Sequence, residues 1–171
     1  MKIDRLLQID AFWTSRLSLS DRPGWLRWLA ALLAHSGDSW FWLAGLLTVY
    51  LVGDAYWKSW SLLLGAAIIA LAGIVLVIKF TFRRRRPESD WGEIYRKTDP
   101  HSFPSGHAAR SALIATLSLA WGPIWLGLLL VIWAPMVSIA RVALGVHFLS
   151  DVLVGTLIGI GAGLLASPLV F

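Results

Sequence analysis

From Trp40 onward, apolar runs alternate with short polar breaks, and that pattern leaves few folds open. A helix that crosses a bilayer needs about 20 mostly apolar residues, or fewer where flanking aromatics reach the interface. Five stretches meet the requirement: roughly Trp40–Val52, Trp60–Phe82, Ser105–Trp121, Ile124–Val142 and Leu149–Phe171. Hydrophobic residues make up 57% of the 171, whereas a soluble domain is close to half apolar. The expected fold is therefore all-α: one polytopic membrane helix bundle over residues 1–171, with about five transmembrane helices. Residues 38–171 form the transmembrane core and 1–37 lie at the interface. Residues 3–17 carry a rough amphipathic helical pattern, and Trp25–Ala34 is too short to span and contains Arg27. A sixth, short span at 24–36 is the alternative. Eleven tryptophans, several at span ends (Trp40, Trp42, Trp57, Trp60, Trp121, Trp125), read as an aromatic belt at headgroup depth.

The net charge is +5, but the basic residues cluster between apolar runs. Anionic lipid or a phosphate substrate suits them better than nucleic acid. The chain has no cysteine, so disulfides and thiolate metal sites are excluded. MKIDRLLQID has no apolar signal core, which assigns insertion to an internal span. One connection, 83–104, is long and polar, and such loops carry function.

Three clusters share one membrane face if the spans simply alternate. Lys79 and Arg86-Pro87 leave the second span, Pro104-Ser105-Gly106-His107 opens the third, and Arg141, His147 and Asp151 straddle the last turn. Ser105 is a good N-cap, and the N–H groups behind it, with Gly106 allowing close approach, make an anion site. Lys79, Arg86 and Arg141 around that helix end describe a phosphate cradle, arginine especially because its planar fork binds phosphate oxygens in pairs. Asp151 lies four residues after His147. It can fix one ring nitrogen and leave the other free to attack phosphorus. His107 can supply a proton to the leaving oxygen.

With these residues in place, the chain resembles the type-2 phosphatidic acid phosphatase family, the membrane lipid-phosphatase branch of a superfamily that includes acid phosphatases and vanadium haloperoxidases. The matching pattern is Lys79 with Arg86-Pro87, then Pro104 to His107, then Arg141, His147 and Asp151, over roughly residues 38–165. The resemblance implies metal-independent hydrolysis of a lipid phosphate or diphosphate through a phosphohistidine on His147. Asp151 would orient that ring, and His107 would act as acid and then as base. Lys79, Arg86, Ser105, Gly106 and Arg141 would hold phosphate oxygens. Ala140 departs from the pattern, where the family usually has serine.

No cofactor or metal is expected: of ten acidic residues only Asp151 sits in a motif, whereas two-metal phosphatases need clustered ligands. The expected partners are a lipid phosphate substrate and membrane lipids. Arg83, Arg84 and Arg85 read as lipid-headgroup contacts, with Arg85 a possible auxiliary to the cradle. Arg110 either joins the phosphate site or pairs with Asp99 or Glu93. His101 supports the site entrance, and His35 has no evident partner. Lipid-to-lipid phosphotransfer and a non-catalytic lipid-binding protein are the alternatives. Apart from Lys79, Arg86 and Arg141, ten basic residues fall on the active-site face and only Lys58 on the other. Basic loops stay cytoplasmic, so the expectation is a cell-membrane protein whose site faces the cytoplasm.

Overall fold

The computed structural model describes residues 2–20, 24–89, 91, 93 and 99–170. Seven α-helices follow one another among them: α1 (Lys2–Leu17), α2 (Trp25–Ser36), α3 (Ser39–Val52), α4 (Ala55–Phe82), α5 (Gly106–Trp121), α6 (Ile124–Ala143) and α7 (Leu149–Ala166). A 3-10 turn, Ser167–Val170, follows α7. The all-α membrane architecture stands, and the expected spans agree with α3 to α7 within a few residues. Asp54 caps α4 by accepting from the Trp57 N–H at 3.1 Å, which starts that helix five residues earlier than expected. By length and hydropathy, α4, α6 and α7 are each sufficient to cross a membrane, and α3 is a shorter apolar helix.

Eleven of the sixteen residues of α5 are buried, which makes it the central helix. It packs mainly on α6 and α7, while α4 and α3 pair beside it. The buried positions of α4 are Trp60, Ser61, Leu64, Ile68, Leu71, Val75 and Lys79, a stripe at three- and four-residue spacing. Its last member, Lys79, therefore points into the bundle. The opposite face, with Leu62, Ile69, Ile74 and Val77, is exposed as a lipid-facing surface requires.

Two expectations need correction. Trp40 and Trp125 are exposed as a belt requires, but Trp60 and Trp121 are buried in the main core; a tryptophan near a span end can equally close the core there. The N-terminal helices are also more than interfacial floats. Ala30, Ala31 and Ala34 of α2 share a buried cluster with Ala140, Ala143, Leu144 and Val146, so the departure at Ala140 lies where α2 docks. At 12 residues, α2 is about 18 Å long and cannot cross a hydrocarbon core of about 30 Å. Residues 21–23, between α1 and α2, and Arg96 and Lys97, two of the ten basic residues counted on the active-site face, lie outside the described residues.

The tightest contact in the bundle is between α5 and α7. Gly155, Gly159 and Gly163 form a stripe on α7, and small residues allow two backbones to touch. A Cβ on Gly159 would lie 2.0 Å from the carbonyl oxygen of Ala109, and one on Gly155 would lie 2.5 Å from that of Ser105. Gly159→Leu is expected to force the helices apart, reducing the activity expected from the sequence at least about tenfold and lowering the thermal midpoint in detergent. A Gly161→Ala control, at a position with open space around it, should keep both near wild type.

Candidate active site

The alternating helices deliver the clusters to one end of the bundle. Lys79 ends α4, Ser105 to His107 open α5, Arg141 lies in the last turn of α6, and His147 and Asp151 flank the start of α7. Lys79, Arg86, Ser105, Arg141, His147 and Asp151 are all buried. Ser105 caps α5 as expected, accepting from the Ala108 N–H, and its own N–H donates to the Asp151 carbonyl at 2.9 Å. That bond ties the mouth of α5 to the first turn of α7.

The turn, and not a shared helix face, brings His147 to Asp151, because α7 begins after His147. Nδ1 of His147 lies 3.7 Å from Asp151 Oδ2, beyond hydrogen-bond length, and Nε2 lies 3.2 Å from Arg86 Nη1. A guanidinium only donates, so Nε2 is the acceptor and the ring proton sits on Nδ1, facing Asp151. Burial, then the charges of Arg86, Arg141 and Lys79, hold the His147 pKa well below its usual value. The ring is neutral at pH 7, with its lone pair turned to the cations.

Those cations are already organised around an anion. Asp99 Oδ2 accepts from Lys79 Nζ at 2.6 Å and from Arg86 Nη2 at 2.8 Å. Lys79 also donates to the His101 carbonyl, and Arg86 to the carbonyls of Asp99 and Val146. Lys79, Gly106, Arg110, Asp99 and Pro100 line the polar end of a cavity of about 310 Å³, whose other walls are Ile68, Leu71, Ala72, Val75, Leu76 and Phe80. The cavity thus joins the cradle to an apolar face of α4. Arg110 lines it but pairs with neither Asp99 nor Glu93; its guanidinium donates to the Gly37 carbonyl and to Ser39 Oγ. His101 forms a backbone bridge to Arg85.

The four-arginine run does not form a uniform lipid-facing stripe. The residue before a proline is held extended, and extended backbone alternates its side chains. Arg85 is accordingly exposed between Arg84 and Arg86, which turn inward, while Arg83, also exposed, ends α4 in a left-handed conformation. Arg85 lines a second cavity with Arg83, Arg86, Glu88, Pro100 and His101, so it borders Arg86. Arg84 Nη1 donates to Asp151 Oδ1 and to Ser150 Oγ, each at 2.7 Å, its Nη2 donates to Asp10 Oδ2, and its guanidinium lies 4.0 Å from the Phe148 ring centroid.

Asp10 itself comes from α1. It accepts the Ser150 N–H at 3.0 Å, Thr14 Oγ1 accepts the Leu149 N–H, and Asp151 Oδ2 accepts the Phe148 N–H at 2.9 Å. The first free N–H groups of α7 are thereby satisfied. Sequence reasoning missed Asp10, Arg84 and Asp38, the last of which accepts from His107 Nε2 at 2.6 Å and from His35 Nδ1 at 3.1 Å. His35 therefore does have a partner. Because Arg84 shares Asp151 with His147, Arg84→Ala should lower kcat at least about tenfold, or ~1.4 kcal/mol. Asp10→Asn should lower it less, and the double variant should be no worse than Arg84→Ala alone, a coupling that a double-mutant cycle measures.

The PAP2 superfamily pattern matches residues 60–171. Decaprenylphosphoryl-5-phosphoribose phosphatase of Mycobacterium tuberculosis is 34% identical over 85% of this chain and 81% of its own. Undecaprenyl-diphosphatase of Sulfolobus acidocaldarius is 36% identical over 48% of this chain and 42% of its own. Among solved structures, a transmembrane PAP2-type phosphatidylglycerolphosphate phosphatase from Bacillus subtilis superposes with a TM-score of 0.78 at 26% identity, covering 96% of this chain and 86% of that one. LpxE of Aquifex aeolicus gives 0.68 at 25% identity, over 86% and 89% of the two chains. A family match over most of the chain, a relative 34% identical along most of both chains and a shared bundle lead to one assignment: this chain belongs to the PAP2 superfamily, among its membrane lipid phosphatases.

Proposed function

We propose that the chain hydrolyses the phosphate of a long-chain lipid through a phosphohistidine on His147 Nε2. The observation that carries this reading is the ring's orientation: a neutral imidazole whose acceptor nitrogen faces Arg86, beside Lys79 and Arg141. Phosphate oxygens would take the place of the Asp99 carboxylate on Lys79 and Arg86, with Arg141, Ser105 and the Gly106 N–H completing the cradle. Nε2 attacks phosphorus as the bond to the lipid oxygen breaks, and His107 gives that oxygen a proton. Asp151 stabilises the charge that appears on the His147 ring. Water then attacks the phosphohistidine with His107 taking its proton, which frees phosphate and restores His147.

The apolar walls of the cavity, running along α4 from Leu76 to Ile68, would receive the first part of a lipid tail. Since the curated relatives are named for decaprenyl- and undecaprenyl-linked phosphates, a polyprenyl-linked phosphate is the substrate class we propose first. Phosphate release by the purified protein should be measured on polyprenyl phosphate and diphosphate, phosphatidic acid and phosphatidylglycerol phosphate. Equal inertness towards all four would reject the reading.

The same conditions test the chemistry. His147→Ala should lose at least about a thousandfold in kcat while still inserting, and Asp151→Asn should lose less. Excess chelator should leave the rate unchanged, and vanadate should inhibit. His147 must be neutral to attack, and its lowered pKa means that it gains a proton only below the ordinary 6.5. The acid limb of kcat/KM, which reports the free enzyme, should accordingly lie below about pH 6.5.

For orientation we propose that the site faces the cytoplasm. α1 and the α2–α3 turn dock on the active-site end, and we place Arg5, Arg16 and Arg27 of the N-terminal segment on that face, opposite Lys58. Single cysteines at Ser89 and Ser59 of this cysteine-free chain give the measurement. A membrane-impermeant thiol reagent on intact cells should label position 59 and spare 89; the reverse pattern would show a site facing outward.

A further inference from the structure

The family match begins at residue 60, yet the turn between α2 and α3 reaches the site from outside it. Several bonds fasten that turn. Arg110 holds the Gly37 carbonyl and Ser39 Oγ, Trp42 Nε1 donates to the Ser36 carbonyl at 2.9 Å, and Trp133 Nε1 donates to Ser36 Oγ at 2.9 Å. So held, Asp38 meets His107 at 2.6 Å through one carboxylate oxygen. Through the other it meets His35 Nδ1 at 3.1 Å and Trp40 Nε1 at 3.3 Å. A carboxylate only accepts, so both histidine nitrogens in this chain of contacts carry protons.

The His107 ring lies with its Cδ2 edge alongside Gly37, where an added Cβ would stand 3.4 Å away. Nε2 is taken by Asp38, and Nδ1 lies on the edge of the ring away from that glycine. The charges acting on the ring are Arg110 on its own helix, Arg141 on α6 and Asp38 on the α2–α3 turn. Burial and the two cations oppose a charge on the imidazole, and Asp38 is the one group that favours it. Burial raises the Asp38 carboxyl, but the hydrogen bonds from His107 and His35 outweigh it and hold that group below the usual carboxylate range. Asp38 is therefore a fixed negative charge.

We propose that Asp38 and His35 are a positioning pair for His107: Asp38 holds Nε2–H and favours protonation of the ring, with Nδ1–H directed to the leaving oxygen, and His35 moderates Asp38. This rests on the phosphatase reading above. In the first step the Nδ1 proton moves to the lipid oxygen as its bond to phosphorus breaks and the His147 Nε2–phosphorus bond forms. His107 is then neutral, still bonded to Asp38 through Nε2–H, and Nδ1 is free to take the proton of the attacking water. His35, half exposed where His107 is largely covered, donates one hydrogen bond that draws charge from Asp38. Removing His35 therefore strengthens the hold on His107, and neutralising Asp38 abolishes it.

The two changes act with opposite sign, which a merely structural role would not produce. Asp38→Asn should move the alkaline limb of kcat to lower pH by about one unit or more, lowering kcat more than it changes KM. The loss should shrink on an aryl phosphate, whose leaving oxygen needs no proton, compared with an alkyl phosphate. His35→Ala should move the limb the other way. A readout independent of turnover is diethyl pyrocarbonate modification of His107, followed against pH by peptide mass spectrometry, because only the uncharged ring reacts. Its midpoint should fall in Asp38→Asn and rise in His35→Ala. Unchanged midpoints in both variants, or equal losses on aryl and alkyl substrates, would overturn the pair. Failure of the phosphatase reading would show separately, as a wild-type chain that releases no phosphate while the His107 midpoints still shift. Should Asp38→Asn not fold, the His35→Ala shift decides alone.

Discussion

A carbonyl oxygen of α5 lies where a side chain on α7 would otherwise begin, and the geometry of the site follows from that contact. The stripe Gly155, Gly159 and Gly163 lets the two helix backbones meet. α5 carries Ser105 and His107 on its first turn, and α7 carries Asp151 on its own, directly after His147. The bond from the Ser105 N–H to the Asp151 carbonyl is possible only at this closeness. The proposed acid and the proposed nucleophile are thereby fixed relative to each other by backbone, which yields far less than side chains do.

The second constraint is electrostatic. Lys79, Arg84, Arg86, Arg110 and Arg141 crowd into one end of an apolar bundle, and a buried charge is tolerated only when it is paired or hydrogen-bonded. Here carboxylates and carbonyls share that task. Asp99 bridges Lys79 and Arg86, Asp10 and Asp151 grip Arg84, and the Gly37 carbonyl holds Arg110. The balance is weighted to the positive side around the His147 ring, and an arriving phosphate would correct it. Charge excess, a helix N-terminus and a lipid-sized apolar wall thus converge on the same ligand.

Much of this was legible in the sequence, because the motif residues are placed by local rules. Ser105 is an N-cap wherever a helix starts at Gly106, and Lys79 ends a stripe that can be counted from Trp60. The glycine spacing on α7 carries a signal of the same local kind, but no close-contact face was expected from it. What could not be read came from distant chain segments. Asp10 and Asp38 sit in stretches whose composition suits an interface, and nothing local says that they turn towards Ser150 and His107. Arg84 was hidden within a run of identical residues, its only signal being that it shares parity with Arg86 before Pro87. Trp60 and Trp121 were placed correctly along the chain but on the wrong side of the bundle wall, because proximity to a span end does not fix rotation about the helix axis.

The clasp between α1 and α7 has a consequence for how the molecule is made. Asp10 and Ser150 are 140 residues apart in the chain, so a ribosome releases the first of them long before the second exists. Until α7 emerges, Arg84 has no Asp151 to hold and Asp10 has no Ser150, so the start of α7 is uncapped. The segment made early must wait at the membrane surface for the one made late. Closure of the site thus waits on α7, and a nascent chain that stops short of it lacks the Asp151 contact of the folded bundle.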